Sequence, residues 1–296
     1  MPKIRERRMA ARSRDGDIQP CPYCRAVRML ISIGVVALLA LGGRDARAQG
    51  GPPLITDDPD TPGPGYWEIN LAAVVARHPG SQSADLPRVD ANYGAGRRVQ
   101  LKFEVPWVRA RNDAEVRSGI GNAVAGVKYR FFGQEGRLLS WSVYPQLEFG
   151  APHASIVKGI AEAGEAFFLP TEVTIEKHVE LNVEVGRRFE SRGGHAWEYG
   201  VSTEGHARPR LELLGEVHVE SRSGSRREVI INAGARPKLT DRLLLLLAAG
   251  RAVHGDEARP RLLVYCGLQV TLPGRYAFDA ARRYRTQRGF ELVGRR

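Results

Sequence analysis

The side chains that could do chemistry are numerous but dispersed. Seven histidines stand at His78, His153, His178, His195, His206, His218 and His254. No two of them have a helical metal-ligand spacing, and none has cysteine partners. Serine-elbow, Walker and dinucleotide-binding motifs are absent. Ser202, Glu216 and His218 have the residue types of an acyl-transfer triad. They could form a lipid-modifying site only if the fold gathered them at one bilayer interface, and their spacing does not favour that. The larger signal is a set of acidic residues, Glu104, Glu148, Glu172, Glu180, Glu184, Glu198, Glu204, Glu212, Glu216 and Glu228, interspersed with Lys102, Lys128, Arg130, Arg236 and His218. These residues read as solvated partners along one continuous surface, so no catalytic residue, metal or cofactor is expected.

The elements that must position them alternate with period two, the mark of strands whose successive side chains point to opposite faces. In Val99-Gln100-Leu101-Lys102-Phe103-Glu104-Val105 one face is Val, Leu, Phe, Val and the other Gln, Lys, Glu. The same grammar recurs around Val127, Trp141, Val173, Val183, Tyr199, Val217, Ile231 and Val264. With weaker strands near 66–76, 86–93 and 242–252, about twelve strands of roughly 9–11 residues are expected, the length a tilted transmembrane strand requires. The expected class is all-β, an antiparallel up-and-down transmembrane β-barrel. Compact links at 94–98, 133–137, 176–178, 205–209 and 237–241 alternate with longer ones at 109–119, 150–165 and 254–260. Short periplasmic turns and longer outer loops produce that rhythm.

A soluble barrel alternates in the same way, and what separates the two is which face carries the charge. In a soluble barrel the greasy face points inward, whereas in a membrane barrel the charged face does. Three features favour the membrane. They are strand number and length, aromatics near strand ends (Trp67, Trp107, Phe131, Trp141, Trp197), and an export signal. For that signal, Arg25 and Arg28 precede an apolar run from Met29 to Leu41, followed by Ala46-Arg47-Ala48. The run is shorter than the roughly 20 residues of a membrane helix. Residues 1–48 are therefore expected to be removed after Ala48, with Met29 an alternative start. The pair Cys21 and Cys24 goes with that segment, which leaves Cys266 on an apolar strand face.

The formal charge of +11 divides unevenly. Residues 1–48 carry 10 basic against 4 acidic side chains and residues 273–296 carry 7 against 2, which leaves 27 of each for residues 49–272. A neutral body with no recognition motif gives no reason to expect nucleic acid. The basic tail, with Tyr276, Phe278, Tyr284 and Phe290, is either a helix lying on anionic lipid or a solvated extension.

The mature N-terminus reads Gly51-Pro52-Pro53-Leu54-Ile55-Thr56-Asp57-Asp58-Pro59, then Thr61-Pro62-Gly63 and Gly65-Tyr66-Trp67-Glu68-Ile69-Asn70. This opening resembles that of the meta-pathway phenol degradation proteins, a family of outer-membrane barrels labelled transporters, and Phe167-Phe168-Leu169-Pro170 is similar to that family's mid-chain strand opening. The resemblance implies a barrel in the outer membrane, with no established solute. On their own chemistry, Thr56, Asp57, Asp58 and Pro59 form a turn in which the carboxylates accept backbone N–H bonds. The segment 49–65 is then a periplasmic clasp at the rim, a plug, or a metal contact through Asp57 and Asp58.

Residues 66–272 form the barrel proper. A passive channel or transporter for small solutes is the leading functional expectation, with a weak cation preference from the glutamate-rich face. A lipid-modifying enzyme and a structural or adhesive barrel acting through its outer loops are the alternatives. Outer-membrane lipid, the barrel assembly machinery and an unidentified small solute are the expected partners.

Overall fold

A computed structural model describes residues 51–274, apart from 113, 134–137, 158–163, 178 and 192–193. The proposed signal, the Cys21–Cys24 pair, His178 and the tail from 275 onward lie outside the described residues. Fourteen strand segments make a closed antiparallel barrel of twelve strands. They are β1 (Tyr66–His78), β2 (Ser81–Gly94), β3 (Val99–Asn112), β4 (Val116–Ile120), β5 (Ala123–Phe132), β6 (Leu139–Val143), β7 (Gln146–Phe149), β8 (Ala166–Glu176), β9 (Glu180–Glu190), β10 (His195–Arg208), β11 (Leu211–Arg222), β12 (Glu228–Thr240), β13 (Leu243–His254) and β14 (Leu262–Pro273). A short helix, α1 (His153–Val157), lies in the long link after β7. Each strand pairs with its chain neighbour, and β1 closes the ring on β14, from Tyr66 opposite Pro273 to Arg77 opposite Leu262.

Two barrel strands are interrupted. β4 and β5 both pair with β3 and are the halves of one strand, broken at Gly121-Asn122. β6 and β7 are likewise halves of the next, broken at Tyr144-Pro145. Proline cannot donate to a ladder. The backbone compensates across the breaks, because Gly121 N–H donates to Pro106 O at 2.9 Å, Val127 N–H to Pro145 O at 3.0 Å and Tyr144 N–H to Pro170 O at 3.0 Å. The expected link at 109–119 is shorter than its composition suggests, since β3 runs to Asn112 and β4 starts at Val116. Arg109, Arg111 and Arg117 sit on the strands of that hairpin.

Burial decides between the two kinds of barrel. Leu101, Phe103 and Val127 are 43%, 54% and 46% exposed, while Lys128, Glu172 and Glu184 are 1%, 0% and 3% exposed. The greasy face therefore looks outward and the charged face inward. Trp67, Trp107, Phe131, Trp141 and Trp197 are also on the outer surface. Exposed Cys266 belongs to the same face. Among the described residues no helix is long and apolar enough to cross a membrane. A closed ring of strands crosses without one, because every backbone polar group finds a partner within it.

Candidate functional site

The interior is a wall of polar side chains with a peptide across it. At one rim, Gly65 N–H donates to Gly94 O at 2.8 Å and Gly274 N–H to Gly65 O at 2.6 Å, which ties the start of β1 to the ends of β2 and β14. From there the segment runs back into the barrel. Gly94 has no Cβ because one would lie 1.8 Å from Gly63 O. Asp60 Oδ1 accepts from Arg130 Nη1 at 2.6 Å, and the other guanidinium nitrogen donates to Arg97 O at 2.9 Å. Lys128 Nζ donates to Asp57 Oδ1 at 3.0 Å and to Asp58 O, and lies 3.4 Å from Glu172.

Further in, Asp57 N–H donates to Glu184 at 3.2 Å, and the Glu216 carboxylate receives the N–H groups of both Ile55 and Thr56. Thr56 fills the place of a side chain at Gly200, where a Cβ would come within 2.2 Å of its Oγ1. Leu54 packs on Leu214 and Ala248. Arg236, nearly fully buried, donates to Pro52 O at 3.3 Å while holding Glu204 and Glu212. The peptide thus crosses the lumen from β12 through β11, β10 and β9 to β5, then leaves along β2.

Thr56, Asp57, Asp58 and Pro59 therefore lie against inward-facing side chains, inside the rim rather than on it. The turn chemistry read from the sequence is present: Asp58 N–H donates to Asp57 Oδ1 at 2.9 Å and Asp60 N–H to Asp58 Oδ1 at 2.7 Å. Asp57 offers its oxygen to an ammonium group, and among the described residues no group of three metal-ligating side chains occurs.

Beside the peptide is a cavity of about 330 Å³. Its charged lining is cross-linked. Lys102 lies 3.4 Å from Asp90 and 3.1 Å from Glu104, and Arg88 lies 3.5 Å from Glu104. On another wall Arg188 bridges Glu148 at 3.1 Å and Glu198 at 2.6 Å, with His218 Nε2 4.0 Å from Glu198. Glu180 is half-buried at the rim, where it accepts from Asn182, and Glu228 is half-buried at the start of β12. All the other acidic and basic residues singled out in the sequence stand in one of these clusters.

Sequence reasoning missed Asn70, Arg88, Asp90 and Arg188, whereas Tyr144 falls by alternation on the inward face of Ser142, opposite Trp141. Arg188 shares the parity of Glu184 and was legible. Arg88 and Asp90 alternate with Val89 and Ala91 and were legible as well, because the bulge in β2 lies before them, between Asp85 and Arg88. The triad reading is corrected. Ser202 pairs with Glu216, and Gly200 with His218, on β10 and β11, but all three side chains are buried inside the wall, away from lipid. Glu216 is already engaged by the N-terminal peptide and by Asn232.

No protein-family model and no curated sequence matches the chain. Among solved structures it is similar to an outer-membrane channel from Pseudomonas putida F1, at 12% identity over 78% of this chain and 99% of that one, with a TM-score of 0.54. It is similar also to the NanC porin, at 6% identity over 69% and 100%, with a TM-score of 0.53. The fold shared with them is the closed twelve-stranded antiparallel barrel. Identities this low carry the architecture and leave the cargo open.

Proposed function

We propose that the chain is a passive channel for small polar solutes in the bacterial outer membrane, closed at rest by its own N-terminal peptide. The observation that carries this reading is the inverted wall: lipid-compatible side chains outside and an ion-paired, hydratable lining inside. Twelve strands spaced about 4.8 Å apart and tilted about 40° give a backbone circumference near 75 Å, or a diameter of about 24 Å. Side chains from opposite walls leave room for roughly one extended peptide, and residues 51–63 occupy it.

The charged side chains around the cavity are Asp57, Asp90, Glu104, Glu184 and Glu198 against Arg88, Lys102 and Arg188. An excess of carboxylates favours cations. The burial of Ser202, Glu216 and His218 inside the wall favours transport over lipid chemistry, as does the likeness to a channel and a porin. The outer face contacts membrane lipid, the assembly machinery inserts the barrel, and export proceeds through a signal cleaved after Ala48. The resemblance of the N-terminus to the phenol-degradation transporters fits the same role.

Planar-bilayer recording with ion substitution tests this. A small, cation-preferring conductance is expected, rising when residues 51–63 are deleted. No conductance in either form, or a clear anion preference, would contradict it.

A further inference from the structure

Among the outward-facing arginines of the described residues, Arg77, Arg109, Arg111, Arg187 and Arg251, Arg187 is set apart by the aromatic rings around it. Arg187 is on β9, with the parity of the lipid-facing Leu181 and Phe189, and is half-buried. Its guanidinium lies 4.9 Å from the ring of Trp197 and 5.8 Å from that of Phe189, within cation–π range. Phe189 in turn meets Phe167 at 6.3 Å and His195 at 5.6 Å. Among the described residues Arg187 has no carboxylate partner, whereas the inward-facing Arg88, Arg188 and Arg236 each have two.

Position makes that lack of a partner informative. β9 runs away from the rim that holds Tyr66 and Pro273, so its end at Glu190 belongs to the opposite, outer rim. Arg187 stands two residues inside Phe189, which is about 5 Å along the membrane normal for a strand tilted near 40°. It therefore sits at the level of the aromatic girdle, where lipid headgroups begin. An arginine on the lipid face costs little at the interface and more with depth, so a headgroup anion is its natural counter-ion. Arg226 and Arg227, exposed in the turn after β11 and also without acidic partners among the described residues, extend positive charge along the same rim. A planar guanidinium near two rings can present its donors for bidentate contact with phosphate.

We propose that Arg187, framed by Trp197 and Phe189, is a binding site for the phosphate of an outer-leaflet glycolipid. The inference rests on the outer-membrane reading but not on conductance, so the two fail separately. The test uses the full mature chain in detergent, folded as judged by heat-modifiable gel mobility. It is titrated with bisphosphorylated lipid A, with the same glycolipid stripped of phosphate, and with inorganic phosphate, and adducts are counted by native mass spectrometry. Phosphorylated lipid A is expected to bind at least tenfold more tightly than the stripped form. Arg187→Leu should abolish that difference, whereas Arg251→Leu, on an outward position of β13, should leave it intact. Equal binding of the two glycolipids, or an unchanged preference in Arg187→Leu, overturns the proposal. Inorganic phosphate competing at equal concentration overturns the lipid as its source. Should Arg187→Leu not fold, Arg187→Gln and the wild-type comparison of the two glycolipids still decide the matter.

Discussion

Removing the Lys128 ammonium should open the channel. Lys128 is 1% exposed and makes three contacts, two with the peptide (the Asp57 carboxylate and the Asp58 backbone carbonyl) and one with the wall (the Glu172 carboxylate). Truncating one member of a buried ion pair costs about 3–5 kcal/mol, because the other charges stay buried without compensation. Two of the three contacts belong to the peptide, so about 2–3 kcal/mol of that loss acts on its docking. At about 1.4 kcal/mol per factor of ten, the docked-to-released ratio should fall about 30- to 150-fold in Lys128→Ala. Single-channel recording reads this directly as the fraction of time spent open. Glu172→Gln serves as a control, since it removes only the wall's claim on Lys128 and should not raise opening. A folded Lys128→Ala barrel whose open fraction stays within about threefold of the parent, against that expected shift, would refute the reasoning.

Two further outcomes follow from the same geometry. Gly200→Val places a side chain where Thr56 now sits, and overpacking of this kind costs about 1–3 kcal/mol. Conductance should rise while heat-modifiable mobility stays that of a folded barrel, and an unchanged conductance would count against the docked position of Thr56. The second outcome concerns pH. Burial alone would push the Asp57 carboxyl up, but the charges of Lys128 and Lys102 outweigh it and hold the group below its ordinary value. A lowered value stabilises docking at every pH above the ordinary carboxylate range of about 4, and the contribution is lost only as pH falls through the lowered value. Opening due to Asp57 should therefore appear only below about pH 4 and be missing in Asp57→Asn. A wild-type rise already present near pH 6, absent in Asp57→Asn, would show the sign to be wrong.

The fold was legible wherever alternation was strict. Val99 to Val105 and His195 to Glu204 assign their two faces without ambiguity, and the structure puts Leu101, Phe103, Trp197 and Val201 outside and Glu198, Ser202 and Glu204 inside. It was illegible where the backbone slips. The slip is in β2, which bulges between Asp85 and Arg88 against both neighbours, so counting cannot be carried through Leu86 and Pro87, although Asn70 before it and Arg88 and Asp90 after it keep local alternation with Leu71 and Val89. Alternation held across the break at Tyr144-Pro145, where Tyr144 shares the inward face of Ser142 and its ring receives Lys128 from 4.6 Å. The peptide across the lumen was legible only as a turn. Its Asp and Pro residues fix a local shape, but its partners Arg130, Glu184, Glu216 and Arg236 lie 70 to 185 positions away. No local pattern encodes contacts at that distance. Ser202, Glu216 and His218 show the converse: suitable residue types on adjacent strands, but facing away from the lipid they would have to reach.

A cross-link between the peptide and the wall tests the central arrangement most directly. Thr56→Cys and Gly200→Cys, combined with Cys266→Ser, put two thiols where Thr56 meets β10. Oxidation of the folded barrel should join them, lock conductance at its lowest level, and be reversed by reductant. If the two cysteines in a folded barrel stay unjoined and react freely with aqueous thiol reagents, the N-terminal peptide does not lie in the lumen.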